Sequence, residues 1–229
     1  MGKASKLILL RHGESEWNRL DLFTGWVDIP LSKKGIQEAL EAGQAIASIP
    51  VDVIFISSLI RSHMTAMLAL SEHRGGKVPL ILHPGGGKIE EWANIYGEEA
   101  KAKTIPVISA WELNERMYGE LQGRNKQQCR EQYGAAQVKL WRRSYDIPPP
   151  EGECLKDTAA RALPYFKEKI LPLLNQGKNV LISAHGNSLR AIVMYLDNLS
   201  KEEVLSLEIG TGIPLIYDFE NGSWKKSSV

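Results

Sequence analysis

Two short apolar runs constrain this chain most. Residues 7–10 (LILL) lead directly into Arg11-His12-Gly13, and residues 180–184 (VLISA) lead directly into His185-Gly186-Asn187. Each run is too short for a helix and is almost wholly aliphatic, which reads as a strand buried on both faces. In open α/β sheets, ligands sit at the carboxyl ends of strands. A sheet that holds both runs therefore brings two imidazoles to one place. The glycine after each lets backbone approach a ligand closely, and the helix-like stretch that follows points its first amides at an anion.

The remaining pattern supports such a sheet. Residues 31–49 space apolar side chains as a helix does, 51–57 (VDVIFIS) read as a buried strand, and 59–70 read as a helix. This rhythm predicts a three-layer α/β/α fold with a mostly parallel central sheet. Residues 73–110 are less regular, with strand-like VPLIL and IPVIS flanking one expected helix over 86–103. Helices are expected over 125–134 and 135–145, then an extended connector. A long helix should start near Asp157 and stop at Gly177, with Pro164 kinking it or resetting its start. Ser200 and Glu203 form a capping-box pattern, and Asn221-Gly222 marks the turn of a final hairpin.

Composition excludes several classes. The 229 residues suit a single domain, 1–229. Lys plus Arg is 28 against 27 for Asp plus Glu, so the basic excess of a nucleic-acid binder is missing. No apolar run approaches a membrane span. The start lacks a leader-like stretch, and Lys6 breaks the myristoylation pattern. No nucleic-acid or membrane partner is expected. Cys129 and Cys154 lack metal-type spacing and read as free thiols of a cytoplasmic protein.

A lone loop histidine is ordinary. Two His-Gly units at matching strand ends are not, with Arg11 adjacent and Arg61 just beyond another strand end. Cations around neutral imidazoles point to an oxyanionic substrate, and the planar fork of arginine suits phosphate. A neutral histidine can attack phosphorus and carry a phosphoryl group while arginines stabilise the equatorial oxygens. A carboxyl group would then protonate the leaving oxygen. Glu115 is one candidate, although spacing does not select it from 27 acidic residues. PGGGKI (84–89) lacks the spacing and hydroxyl of a P-loop and reads as a turn. Trp92, Trp111 and Trp141 read as packing anchors, and His63, His73 and His83 carry no motif. Arg142-Arg143 alone reads as a solvated helix face.

The blocks RHGESEWN, FTGWVDIPLSKKG, LNERMYGELQGRNK, WRRSYDIPPPEGECLKDT and AHGNSLRAI, taken together, resemble the cofactor-dependent phosphoglycerate mutases of the histidine phosphatase superfamily. The resemblance runs from about residue 6 to 219. It implies the phosphoglycerate mutase-like fold and interconversion of 3-phosphoglycerate and 2-phosphoglycerate, in glycolysis and gluconeogenesis, primed by 2,3-bisphosphoglycerate without a metal. It implies His12 as nucleophile, Glu115 as proton donor and acceptor, and His185 as stabiliser of the moving phosphoryl group beside Arg11 and Arg61. It places Arg11, Ser15, Asn18, Thr24, Gly25, Arg61, Glu115, Arg116, Tyr118, Lys126, Arg142, Arg143, Gly186 and Asn187 at substrate-contacting positions, so Arg142-Arg143 becomes a ligand for a carboxylate or distal phosphate. Family members are often dimers or tetramers, which implies a homo-oligomer acting on small phosphoglycerates. Against the family pattern, residues 73–110 look like an insertion. The C-terminal tail that closes the site in many members looks absent, an arrangement expected to raise phosphatase leakage. The alternative within the superfamily is a phosphatase or bisphosphoglycerate synthase; Ser15 matches the mutase pattern, where the synthases tend to have glycine.

Overall fold

Successive residues of the first strand point into different cores. Leu7 and Leu9 pack into one apolar cluster and Ile8 and Leu10 into another, the two-residue period of a strand covered on both faces. The computed structural model describes residues 4–85 and 87–227. The first three residues, on which the leader and myristoylation readings partly rest, and Gly86 of the glycine turn lie outside the described residues.

The strands are β1 (Ser5–Arg11), β2 (Val53–Ile56), β3 (Val78–Ile81), β4 (Thr104–Ser109), β5 (Val180–Ala184), β6 (Pro214–Glu220) and β7 (Ser223–Ser227). They form one sheet in the order β3-β4-β2-β5-β1-β6-β7. The pairings from β3 through β1 are parallel; β6 runs antiparallel to β1, and β7 antiparallel to β6. One face is covered by the Lys33–Ile46 and Ile60–Ser71 helices, through Ala42, Ile46, Ala66, Ala69 and Leu70. The other is covered by Phe166, Ile170 and Leu174 and by Leu189, Ile192, Val193 and Leu196 of the Gly186–Leu196 helix. This is the three-layer arrangement the pattern predicts. A small third cluster of Phe23, Leu121, Cys129 and Val138 supports the Lys126–Tyr133 and Ala135–Arg143 helices.

Three expectations change. The single helix over 86–103 is two short ones, Lys88–Trp92 and Glu98–Ala102, because Gly97 (φ 104°) takes a conformation no helix continues through. The long helix starts at Leu155, where the Cys154 N–H donates to Asp157 Oδ2 at 2.9 Å, so Asp157 lies in the first turn. Pro164 does not reset the start of that helix: the helix runs through it to Tyr165, a π-type turn follows over Phe166–Ile170, and the helix resumes at Leu171–Asn175. Residues 73–110 supply β3 and β4, and β4 buries Ile105 and Val107 in the core. The final hairpin turns at Asn221-Gly222, both at positive φ as expected. Among the described residues no helix is long and apolar enough to cross a membrane.

The loop after β1 is held by a close backbone approach. A Cβ on Gly35 would lie 2.0 Å from Glu14 O, and one on Gly13 would lie 2.2 Å from Gly35 O. Neither carbonyl can swing aside as a side chain would. Gly35→Ala is therefore expected to cost about 1–3 kcal/mol. Scanning calorimetry should show Tm falling by roughly 2–4 °C per kcal/mol; an unchanged Tm would mean that these two segments do not touch.

Candidate active site

Three neighbouring strands end at one place. In the β1–β5 register Arg11 lies opposite Ala184, and the His12 N–H donates to Ala184 O at 3.0 Å. His12 and His185, the next residues, therefore sit side by side, with ring centroids 4.9 Å apart. Ile56 of β2 lies opposite Ser183, so Ser57 arrives on the far side of His185, with its Oγ 2.7 Å from Nε2.

Hydrogen bonding sets the protonation pattern of the His12 ring. His12 Nδ1 lies 2.7 Å from Gly13 O. A carbonyl only accepts, so Nδ1 carries the proton and Nε2 keeps its lone pair. Ser57 Oγ accepts the Leu59 N–H at 3.2 Å and lies 2.7 Å from His185 Nε2. His185 Nδ1 is buried without a hydrogen-bond partner. Burial, then Arg61 and Arg11, holds His12 well below the ordinary imidazole value; burial, then Arg61, His12 and Arg11, does the same for His185. Both rings are neutral near pH 7. Burial also brings Arg61 down to about 10, still fully charged at that pH.

The arginines are anchored from behind and open in front. Arg61 donates through Nη1 to Val27 O (3.0 Å) and through Nη2 to Gly25 O (2.7 Å), and Arg11 Nη1 donates to Ile209 O (2.7 Å). The Nε–H of each is buried with no acceptor, as is Thr24 Oγ1. A buried donor left unmet costs about 1–3 kcal/mol. Several around one opening mark a place built for an anion.

Glu115 faces the same opening. Its Oε1 accepts three N–H groups: Arg116 N (2.6 Å), Asn187 Nδ2 (2.7 Å) and Asn187 N (3.3 Å). No donor among the described residues reaches Oε2, so Oε2 is the oxygen free to carry a proton. A Cβ on Gly186 would lie 3.7 Å from Oε2 and 3.6 Å from Arg11 Nε. Gly186 thus lies between the Glu115 carboxyl and the Arg11 guanidinium.

The cavity holds about 270 Å³ and is lined by Arg11, His12, Asn18, Thr24, Gly25, Arg61, Glu115, Tyr118, Lys126, Arg142, Arg143, Gly186 and Asn187. Three of the expected residues lie outside this lining. His185 backs His12. Ser15 caps the Glu16–Arg19 turn, its Oγ accepting the Asn18 N–H at 3.2 Å, and so places Asn18 rather than reaching the opening. Arg116 is buried behind the wall, donating to Trp141 O (3.0 Å) and Arg142 O (3.2 Å), which fixes the end of the helix that presents Arg142 and Arg143. Its guanidinium also lies over the Tyr118 ring. Burial raises the Tyr118 phenol, but Arg116 outweighs it and leaves the phenol below its ordinary value. Sequence reasoning missed Leu22, Phe23, Arg190 and Glu208, which also line the cavity. Arg190 follows the second His-Gly unit by one helical turn, a spacing that could have revealed it. Glu208 pairs with Arg143 (2.6 Å) and Arg190 (3.4 Å) from a distant loop, and nothing local marks it. Among the described residues no cluster of three or more His, Cys, Asp or Glu could hold a metal.

The lowered imidazoles make a stability prediction. Unfolding returns both rings to the ordinary value of 6.5. Below about pH 6.5 the unfolded chain then binds more protons than the native one, and stability falls as pH drops towards the lowered native values. Each ring contributes at most about 1.4 kcal/mol per pH unit. Urea unfolding between about pH 7.5 and 5.5 should give a shallower decline for His12→Asn than for the unmodified chain; parallel declines would show that His12 is not buried neutral.

The family model described as Histidine phosphatase superfamily (branch 1) matches residues 7–86 and 89–229. The 2,3-bisphosphoglycerate-dependent phosphoglycerate mutase of Protochlamydia amoebophila is 62% identical over 221 residues, covering 96% of this chain and 98% of that protein. The protein of the same name from Chlamydia muridarum is 56% identical over 223 residues, covering 97% of each. Among solved structures, Bacillus stearothermophilus YhfR superposes with a TM-score of 0.75 at 23% identity, over 97% of this chain and 95% of that one. A mycobacterial glucosyl-3-phosphoglycerate phosphatase bound to VO3 superposes with a TM-score of 0.72 at 22% identity, over 97% of each chain. At such identities these structures bear on the fold. The family match across nearly the whole length and the near-full-length relatives settle the lineage: this chain belongs to branch 1 of the histidine phosphatase superfamily.

Proposed function

We propose that this chain is a 2,3-bisphosphoglycerate-dependent phosphoglycerate mutase, interconverting 3-phosphoglycerate and 2-phosphoglycerate in glycolysis and gluconeogenesis. The observation that carries the reading is the set of buried polar atoms without partners, Arg11 Nε, Arg61 Nε, His185 Nδ1 and Thr24 Oγ1, gathered around a neutral histidine. The names of the full-length relatives give the substrate class.

His12 attacks phosphorus through Nε2, forming an N–P bond as the P–O bond to the leaving oxygen breaks. Arg11 and Arg61, with His185 behind His12, take the charge that gathers on the equatorial oxygens. Glu115 gives its Oε2 proton to the leaving oxygen and takes one back from the accepting hydroxyl on return. Lys126, Arg142, Arg143 and Arg190 grip the anionic groups that are not reacting. Asn18, Thr24, Gly25, Tyr118, Gly186 and Asn187 complete the wall, so a three-carbon acid carrying two phosphate esters can reorient without leaving. When bound, 2,3-bisphosphoglycerate supplies the phosphoryl group that loads His12. The donor set fits that polyanion: five arginines, one lysine and a helix N-terminus border the cavity. No step above draws on a metal. The cytoplasm suits this metabolism and the two free, buried thiols.

We read the exposed edge as a contact between copies. Val78, Leu82, Ile89, Trp92 and Tyr96 are exposed apolar residues within one short segment beside edge strand β3, with Trp92 at 66% and Tyr96 at 83% exposure. Sedimentation should show a dimer or larger assembly that Trp92→Glu weakens; a monomer at all concentrations would reject this.

The main test is an assay on 3-phosphoglycerate with and without 2,3-bisphosphoglycerate. Isomerisation should depend on the bisphosphate and exceed phosphate release. His12→Ala should abolish both turnover and the acid-labile, base-stable phosphoenzyme. Phosphate release without isomerisation would instead make the chain a phosphatase, and undiminished labelling of the variant would remove His12 as nucleophile.

A further inference from the structure

Outside the cavity wall, one partly buried arginine finds an acceptor for every N–H, and three of those acceptors lie on the segment that carries Glu115. Arg161 lies on the Leu155–Tyr165 helix with its side chain 9% exposed. A guanidinium has five N–H groups, and each finds an acceptor. Nη1 donates to Glu112 O (2.8 Å) and Asn114 O (3.0 Å). Nη2 donates to Glu115 O (2.9 Å) and Glu153 Oε2 (2.8 Å), and Nε donates to Glu153 Oε1 (2.9 Å). Three of the five acceptors are main-chain carbonyls within four consecutive residues ending at Glu115.

That segment has no regular secondary structure between its two 3-10 turns. It leaves the first turn at Leu113 and joins no strand or helix before Gly119. Its carbonyls therefore depend on side chains for partners. Glu153 extends the hold, since its Oε2 also accepts the Met117 N–H at 3.1 Å. The ion pair thus grips the backbone on both sides of Glu115. The Arg161 guanidinium also lies over the Trp26 ring (5.4 Å), and Trp26 Nε1 donates to Glu115 O.

We propose that Arg161, locked to Glu153, is a positioning residue that sets where the Glu115 carboxyl stands over the cavity. The assignment rests on Glu115 acting as the proton donor. The planar fork, rather than the charge, does the positioning, because one flat group must satisfy three carbonyls and a bidentate carboxylate together. Lysine would keep the charge and lose that geometry. A displacement of about 1 Å at a reacting group costs on the order of 10²-fold in rate.

The test compares Arg161→Lys, Glu153→Gln and Glu115→Gln with the unmodified chain, using two phosphoryl donors for His12. One is 2,3-bisphosphoglycerate, whose leaving alkoxide needs a proton. The other is p-nitrophenyl phosphate, whose leaving phenolate does not. Rapid-quench labelling of His12 should slow by about 10- to 100-fold from the bisphosphate in Arg161→Lys and Glu153→Gln, while labelling from the aryl phosphate stays within about twofold. In steady state, kcat should fall with KM nearly constant. Equal losses with both donors, or a lower Tm with full activity in the folded fraction, would make Arg161 a structural residue and overturn the proposal. Unaltered rates with both donors would overturn it too. Glu115→Gln separates the two layers of the argument. If it shows no preference between donors, the reading of Glu115 as acid fails. If it shows the preference and Arg161→Lys does not, only the positioning role fails.

Discussion

The parallel pairing of β1 with β5 is the constraint on which the site depends. Arg11 opposite Ala184, with the His12 N–H on Ala184 O, makes the two histidines neighbours. The same register places Ile56 of β2 opposite Ser183 and so brings Ser57 to His185. A slip of one residue would turn every side chain of the strand to the other face. The cores forbid it: Leu7 and Leu9 are complementary to one helical layer, Ile8 and Leu10 to the other. Packing far from the chemistry therefore fixes the distance between the two rings.

Electrostatics follow from that placement. The strand ends are buried, so the rings lose their charge while the arginines beside them keep theirs. A neutral imidazole is a nucleophile. Buried guanidinium groups with open N–H directions favour negative charge that arrives or develops there, and their effect is strongest where water is excluded. The small cluster around Phe23 and Leu121 completes the enclosure by holding the helices that bring Lys126, Arg142 and Arg143 over the opening.

Glu115 comes from a different kind of structure. The histidines are set by strand register, whereas Glu115 sits on irregular chain whose main-chain groups are met by side chains. Arg161, Glu153 and Trp26 define its backbone, and Asn187 and the Arg116 N–H define its carboxylate. Rigid strands thus position the two histidines, while a polar network positions the Glu115 carboxyl.

The layered fold is legible in the chain alone, because the continuous aliphatic runs of β1 and β5 and the helical spacing of 31–49 are local patterns that tertiary packing had no reason to override. The sequence also marked His12 and His185, since a buried strand ending in His-Gly is a local signal, and the block resemblance extended the assignments to Glu115, Lys126 and the Arg142-Arg143 pair. Only the tertiary structure could decide the rest. It separated Ser15 and Arg116, which brace the wall, from the side chains that line the cavity. It split the expected helix over 86–103 at Gly97 and carried the long helix past Pro164. It brought Glu208 to the cavity mouth and Arg161 to the carbonyls of 112–115. The physical reason is common to these cases. A periodic pattern records which face of an element is buried, but a polar side chain's role depends on which acceptors lie within about 3 Å of it, and those come from segments distant in sequence.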